Sequence, residues 1–396
     1  MQKRVLILNT SHNDLRLILA LKKLGYYVIA TGNQPGLIGE KYADEYIRSD
    51  YSDREGILEI SRKIKIDAIC ACCNDFGVIT AAYVAEKMNL PGHDTYENAL
   101  IIHHKDRFKQ FAQKHGIQTP HAEYFSTEAE AIDWLKNVEY PIIVKSADLS
   151  AGNGVSRADV YEEAAEAIRK AFYCSRTKKV VIEPFIEGSQ HGFCTFLINK
   201  KVVAICSNNE YSFINPYRVE IDTYPSDNLD EVKGFLIEQI EKMSNILNLK
   251  DGIFHLQYRM KDGKPYIIEC MRRTLGNMYG VPAERLTGIN WDYWEAKAHC
   301  GLYCSDFPFN VEEKGFYAYR AIMSNENGII KKVVIPESFS KYLFDECMIW
   351  GPNKPIKNYM SEPLGFLFFK FDSKKEMNHI MLDRYDDIYV ELENKD

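Results

Sequence analysis

The first ninety residues alternate between two periods. Val5-Leu6-Ile7-Leu8 is a continuous apolar run, the pattern of a strand buried on both faces of a parallel sheet. Leu15, Ile18, Leu19 and Leu24 then recur at helical spacing after Asp14, and Gly25 supplies the stop. Tyr27–Ala30 predicts a second strand, Ile57–Ile64 a second helix, Ile66–Cys72 a third strand and Val78–Met88 a third helix. Alternation of this kind predicts a doubly wound α/β unit. The loop after the first strand, Asn9-Thr10-Ser11-His12-Asn13, contains no glycine, which argues against a nicotinamide dinucleotide site and the dehydrogenase built on one.

Past the turn at Leu90-Pro91-Gly92 the pattern changes. A helical stretch covers 98–114, and Ile142-Ile143-Val144-Lys145 is a short strand ending in a lysine. A glycine-containing loop, a helix over 161–171 and the strand Val180–Glu183 complete a small α+β module. Phe193 to Ser207 reads as a hairpin turning at Asn199-Lys200, Asp230 to Ile246 as a long helix, and two strands flank Lys261-Asp262-Gly263-Lys264. From about Asp306 onward, short aromatic runs such as Phe316–Tyr319 and Phe366–Phe369 mark a β-rich lobe. The fold class expected is α/β and α+β, in four parts: 1–95, 96–190, 191–305 and 306–396.

Composition narrows the function. The 396 residues carry 49 Lys plus Arg against 56 Asp plus Glu, a formal charge of −7. No excess of positive charge exists to neutralise phosphates, so neither a nucleic acid nor an anionic membrane is an expected partner. The N-terminus turns polar too soon for a signal peptide, and no apolar run approaches the roughly 18 residues of a membrane helix. Ten cysteines are scattered, with one tight cluster at Cys70, Cys72 and Cys73 that lacks a second pair at zinc spacing. Half-buried thiols at a strand end, in a reducing cytoplasm, are the expectation.

Four spaced features carry chemistry together. Lys105 opens a helix, and Lys145 ends a strand. The loop Ser150-Ala151-Gly152-Asn153-Gly154-Val155 offers bare backbone N–H groups that can fold over phosphates. Glu269 ends the strand Pro265–Ile268, with Arg272 and Arg273 just beyond it. Two lysines hold phosphate charge, an acid holds Mg²⁺ (Mn²⁺ being the alternative ion), and arginine takes a carboxylate or developing phosphoryl oxygens. That set suits Mg·ATP and an acyl phosphate. No activated Ser or Cys signature accompanies it.

These motifs, in this order, resemble the ATP-grasp superfamily of carboxylate ligases over roughly residues 1 to 305. Lys105-Asp106 with Gly116-Ile117-Gln118-Thr119-Pro120 resembles the family's first lysine and the turn after it. Pro141–Lys145 resembles the second lysine strand, and Ser150 to Val155 the phosphate lid. Val181–Gly188 is similar to the adenine-binding hinge, where Glu183 and the backbone of Phe185 and Ile186 would contact adenine. Gly252–Gln257 with Ile267–Arg273 resembles the metal-binding strand pair. The tail resembles the C-terminal lobe of biotin carboxylase-like members, and especially of the L-amino-acid ligases. The resemblance implies ATP-dependent joining of a carboxylic acid to an amine, amino acids included, in a homodimer. Lys145, Arg272 and Arg273 would be catalytic, with Gln257 and Glu269 on the metal and Gln190 on the ribose. Arg218, Arg273, Gly276 and Asn277 would meet substrate, Arg218 being otherwise a solvated loop residue. Three departures stand out: Gln257 and Gln190 replace expected glutamates, and Met271 an asparagine. A one-metal enzyme, another ATP-grasp chemistry (carboxyphosphate, or a hydroxyl or thiol acceptor) and a catalytically weak nucleotide sensor are the readings left open.

Overall fold

The computed structural model describes residues 2–149, 152–309 and 311–393. Strands β1 (Arg4–Leu8), β2 (Tyr27–Gly32), β3 (Glu45–Arg48) and β4 (Ala68–Cys70) form a parallel sheet in the order β3-β2-β1-β4. Helices α1 (Leu15–Lys23), α2 (Arg54–Ile64) and α3 (Asp75–Met88) cover it. Val5, Ile7 and Val28 pack on Leu17, Ile18 and Leu21, whereas Leu6, Leu8 and Ile29 pack on Ile57, Val78 and Val84. Cores on both faces are the reason the strand sequences run apolar without alternation. Edge strand β3, only half buried, gives no such signal. All ten cysteines are free thiols.

The helical stretch expected over 98–114 is two helices, α4 (Tyr96–His103) and α5 (Lys105–His115), the second opening at Lys105 as expected. His104 between them is extended (φ −99°, ψ 121°), and the Lys105 N–H donates to the Ala147 carbonyl at 2.8 Å. That tertiary bond replaces a helical one and docks the start of α5 onto the next module.

That module has an antiparallel sheet in the order β5-β8-β6-β7, from β5 (Glu123–Phe125), β6 (Ile142–Ser146), β7 (Val155–Ala158) and β8 (Val180–Pro184). Helices α6 (Glu128–Trp134) and α7 (Tyr161–Cys174) cover one face, and the small Ala164, Ala167 and Ala171 let α7 lie close on Ile142, Val144 and Ile182.

The largest sheet follows. It is built from β9 (Ser189–Ile198), β10 (Lys201–Tyr211), β11 (Ile221–Tyr224), β12 (Gly252–Lys261) and β13 (Lys264–Met271), with α8 (Leu229–Ile246), α9 (Gly280–Thr287) and α10 (Trp291–His299) between and after them. The tail supplies β14 (Phe316–Ile322), β15 (Gly328–Val334), β16 (Leu343–Met348), β17 (Pro355–Ile356), β18 (Gly365–Phe371) and β19 (Tyr389–Leu392). Strands β14, β18 and β16 extend the large sheet to eight strands, in the order β13-β12-β9-β10-β11-β14-β18-β16, and β17-β15-β19 make a small sheet of their own. The β-rich tail is therefore continuous with the core rather than appended to it. On one face of the large sheet Phe193, Leu197, Phe254 and Leu256 pack on Leu236, Ile240 and Met243 of α8. By alternation the other face receives Gln190, Glu210, Asp222, Gln257 and Glu269. Directly opposed pairs across it are Gln257 with Glu269, Gln190 with Glu210, Glu210 with Asp222, and Asp222 with Tyr319.

Candidate functional site

The lysine end is built by α5, β6 and β8. Glu183 and Lys109 are each only 2% exposed in their side chains, and they form an ion pair at 2.8 Å. Lys145, on the neighbouring strand, is hydrogen-bonded to the other Glu183 oxygen. Burial alone would raise the Glu183 carboxyl, but the two lysines outweigh it and hold it below its usual range. Two ammonium groups against one carboxylate leave a net positive charge, which favours a phosphate nearby. Glu183, expected at the adenine edge, is thus spent on the lysines. Lys105 lies across the cleft, bonded to the Leu149 carbonyl and 3.9 Å from Glu269. The structure therefore brings Lys105 to Glu269 and Lys145 to Glu183.

The loop between β6 and β7 places Gly152 and Gly154 at φ +74° and +67°. A Cβ on Gly154 would lie 2.2 Å from Ser146 Oγ, and one on Gly152 would lie 2.6 Å from the Tyr217 carbonyl. Only glycine fits both the backbone and the space. Val155 pairs with Lys145 at the start of β7. Ser150 lies outside the described residues. At the hinge, the Phe185 ring is flanked by the guanidinium groups of Arg157 (4.4 Å) and Arg259 (4.9 Å). Its N–H donates to the Pro141 carbonyl at 2.9 Å, so of the Phe185 backbone expected at the adenine only the carbonyl is left for it. Ile186, the next residue, is half buried in the loop before β9.

Glu269 and Gln257 face each other across β13 and β12. The Gln257 amide nitrogen donates to both oxygens of Glu210, at 3.0 and 2.9 Å, leaving its carbonyl oxygen for another partner. Gln190 also donates to Glu210, at 2.7 Å, and its carbonyl accepts from Arg259 at 3.2 Å. Burial, then the charge of Glu269, raises the Glu210 carboxyl, while Gln190 and Gln257 oppose that. A carboxylate and an amide carbonyl on adjacent strands are hard oxygen ligands of the kind that hold Mg²⁺ against phosphate. These residues fit the ion.

The arginines after β13 are not what their spacing suggests. Arg272 pairs with Asp94 at 2.9 Å and donates to the carbonyls of Gly252, Ile253 and Lys250 at 3.1, 2.5 and 2.7 Å. It is buried with its donors committed, so it is a clamp between chain segments and not a catalytic residue. Arg273 is buried too, with Nε on Asp75 at 2.7 Å and Nη1 on the Thr274 carbonyl at 3.1 Å. Asp75, at the start of α3, also receives His103 Nδ1 at 3.0 Å. Arg273 therefore ties the N-terminal unit to the core, which corrects its assignment to substrate and catalysis. Arg218 differs from both. Burial pushes its guanidinium below the usual range, Tyr319 and Glu220 opposing, and no carboxylate ion-pairs with it among the described residues. Near it, burial and the Arg218 charge lower His12 to about 4. Asn277 donates to Tyr319 Oη at 3.0 Å and the Val219 carbonyl at 3.3 Å. Gly276 faces Asn13 of the N-terminal unit, and Asn13 accepts the Met278 N–H at 3.0 Å.

Lys109 and Asp222 are residues of this region that the motifs did not single out, whereas Glu210 falls in the polar stretch from Asn208 to Arg218 that the sequence offers as substrate lining, its first four residues being strand β10 rather than loop. Lys109 lies one helical turn after Lys105 and so left a trace in the pattern.

Comparison with known proteins places this geometry. Residues 103–216 match the family model for the ATP-grasp (A) domain of phosphoribosylglycinamide synthetase. Phosphoribosylamine–glycine ligase of Clostridium acetobutylicum is 24% identical over 266 residues, 56% of this chain and 64% of that enzyme. The C-terminal section of the carbamoyl phosphate synthase large chain of Methanocaldococcus jannaschii is 23% identical over 305 residues, 69% of this chain and 47% of that protein. The chain thus spans less than two thirds of the length of these curated relatives. Among solved structures, L-amino acid ligase of Bacillus licheniformis superposes with a TM-score of 0.84 at 20% identity, covering 99% of both chains. Phosphoribosylglycinamide synthetase of Anaerococcus prevotii gives 0.76 at 22% identity, covering 99% of this chain and all of that one. Residues 103–216, which hold the lysine pair and the glycine-rich β6–β7 loop, thus match an ATP-grasp domain, and the fold of the chain is that of the ATP-grasp ligases among these structures.

Proposed function

We propose that the protein is an ATP-dependent carboxylate–amine ligase that forms an amide through an acyl phosphate, releasing ADP and phosphate. The observation that carries this reading is the set of fixed charges the fold assembles: Lys109 and Lys145 on Glu183, Lys105 3.9 Å from Glu269, and Arg218 in the loop between β10 and β11. Lysines at fixed positions hold the phosphate chain and neutralise the charge that develops as the γ-phosphoryl group passes to a carboxylate. Mg²⁺, held by Glu269 and the Gln257 carbonyl, supplies Lewis-acid charge neutralisation when bound. Arg218 offers two parallel N–H donors to the acid substrate's carboxylate. Lys105, anchored on the Leu149 carbonyl and 3.9 Å from Glu269, sets its ammonium beside the metal-binding acid, where it would meet the phosphate chain.

The amine then attacks the acyl carbon, the C–O bond to phosphate breaks, and the departing phosphate takes the amine's second proton. Positioning and charge do the work, in keeping with a sequence that carries no activated Ser or Cys signature. Phe185, held between two arginines, and the hinge carbonyl would form the adenine edge, with Gln190 on the ribose side. Amino acids are the proposed substrate class for at least one partner, a homodimer the proposed assembly and the cytoplasm the proposed compartment. No helix among the described residues is long and apolar enough to cross a membrane.

A matrix of carboxylic acids against amines, amino acids included, read by phosphate release, tests the proposal. It expects ADP and phosphate only when both an acid and an amine are present. ATP binding without turnover for any pair would leave a nucleotide sensor instead.

A further inference from the structure

The metal end of the cleft is short of one negative charge, because Gln257 contributes an amide and only Glu269 is anionic on the β12–β13 pair. The missing charge lies two strands away. Glu210, on β10, is 8% exposed and receives the Gln257 amide nitrogen on both oxygens and the Gln190 nitrogen on one. No lysine, arginine or histidine forms an ion pair with it among the described residues, although it lies within the field of Glu269. A buried carboxylate whose direct donors are neutral, with Arg259 reaching it only through Gln190 and a second carboxylate in its field, still favours a further cation nearby.

An amide has one donor end and one acceptor end. Once Glu210 captures the NH₂ end of Gln257, the carbonyl end points away from Glu210 and keeps both lone pairs. Gln257 sits opposite Glu269 in the ladder, so that carbonyl and the Glu269 carboxylate share one edge of the sheet. Asp222, directly opposite Glu210 on β11, is 3% exposed and receives Tyr224 Oη at 3.1 Å on one oxygen. It backs Glu210 from the side away from Glu269.

We infer that Glu210 is a positioning residue for the divalent cation: it orients the Gln257 carbonyl toward the ion and supplies, one shell out, the negative charge that Gln257 lacks. The inference rests on the Mg·nucleotide reading above and names how this chain meets that reading with an amide where a charged ligand is expected. Outer-shell partners of this kind change metal affinity by about 10–100-fold.

Mn²⁺ in the presence of ADP is the probe, followed by electron paramagnetic resonance of the purified full chain, which requires no knowledge of the acid or amine. Glu210→Gln should weaken Mn²⁺·ADP binding at least about tenfold, within the outer-shell range, and alter the bound-ion spectrum. Gln257→Glu should also weaken it, by setting two carboxylates against each other at about 3 Å where a donor–acceptor pair stood. The exchange variant, Glu210→Gln with Gln257→Glu, restores one donor, one acceptor and the same net charge, and should bind within about threefold of the parent. If Glu210→Gln alone binds Mn²⁺·ADP as tightly as the parent, or the exchange variant is no better than the single substitutions, the inference is wrong. Should Glu210→Gln fail to fold by its circular dichroism, the exchange variant decides the matter on its own. A parent protein that binds no Mn²⁺·ADP would instead overturn the nucleotide reading beneath it.

Discussion

Glu183→Gln is the sharpest test of how the lysine end is held. The glutamine keeps the volume and one acceptor but removes the charge that lies between Lys109 and Lys145. Lys109 is as buried as Glu183, and burial already pulls its ammonium below the ordinary lysine range, with Glu183 acting against that pull. Removing one partner of a buried ion pair leaves an uncompensated charge and costs about 3–5 kcal/mol. Here two ammonium groups lose one shared partner, so the upper part of that range applies. Against a typical total of about 5–15 kcal/mol, such a loss is large. The assay is urea unfolding of the full chain, with the midpoint compared between parent and variant.

The pH dependence follows from the depressed carboxyl. Its folded value lies below its unfolded value of 4.5, so the stabilisation is fully present above 4.5 and is lost as pH falls through the folded value. The gap between parent and Glu183→Gln should therefore be widest near neutrality and shrink in acid. A variant within about 1 kcal/mol of the parent at pH 7, a gap of surface-pair size, would refute the claim that the carboxylate is what allows two lysines to be buried there.

Lys145→Ala should leave the Lys109–Glu183 pair and the fold in place while lowering kcat/KM for ATP by about 10²–10³-fold, as loss of a fixed charge at a reacting phosphate does. Retained turnover would remove Lys145 from the site. Arg218→Ala should raise KM for the acid substrate, losing a charged hydrogen bond worth about 1.5–3 kcal/mol, with the unfolding midpoint unchanged. Arg272→Ala should do the reverse, lowering the midpoint because four backbone carbonyls and Asp94 lose their donor. Glu313, half-buried beside Ser207, is raised to about 7, so its carboxylate costs stability progressively as pH rises from 4.5 through 7. Glu313→Gln should accordingly be more stable than the parent at pH 8, by up to about 3 kcal/mol, and indistinguishable at pH 4. Equal stability at both pH values would contradict it.

What the sequence disclosed follows from where burial is two-sided. Val5–Leu8 and Ile142–Val144 are legible because every residue in them is in a core, whereas the edge strand Glu45–Arg48 is half solvated and carries no period. The break at His104 showed only as a helix opened by Lys105, because its cause, the Ala147 carbonyl, lies 43 residues from His104. The lysines and Glu269 were legible as charges ending apolar runs, positions where a side chain emerges from the sheet into a cleft. The arginines misled for the same reason: Arg272 and Arg273 look free in sequence, but their partners Asp94 and Asp75 lie 178 and 198 residues upstream. Glu210 was visible only as one polar residue in the run Asn208–Tyr211. Its meaning depends on two glutamines from other strands, 20 and 47 residues away.

The central claim is that a substrate carboxylate becomes an acyl phosphate in this cleft, and oxygen transfer tests it most directly. With the acid partner labelled with ¹⁸O in its carboxylate, the account predicts one labelled oxygen in the released phosphate for each amide formed, and unlabelled ADP. Phosphate released without label, or label appearing in a nucleoside monophosphate, would contradict it.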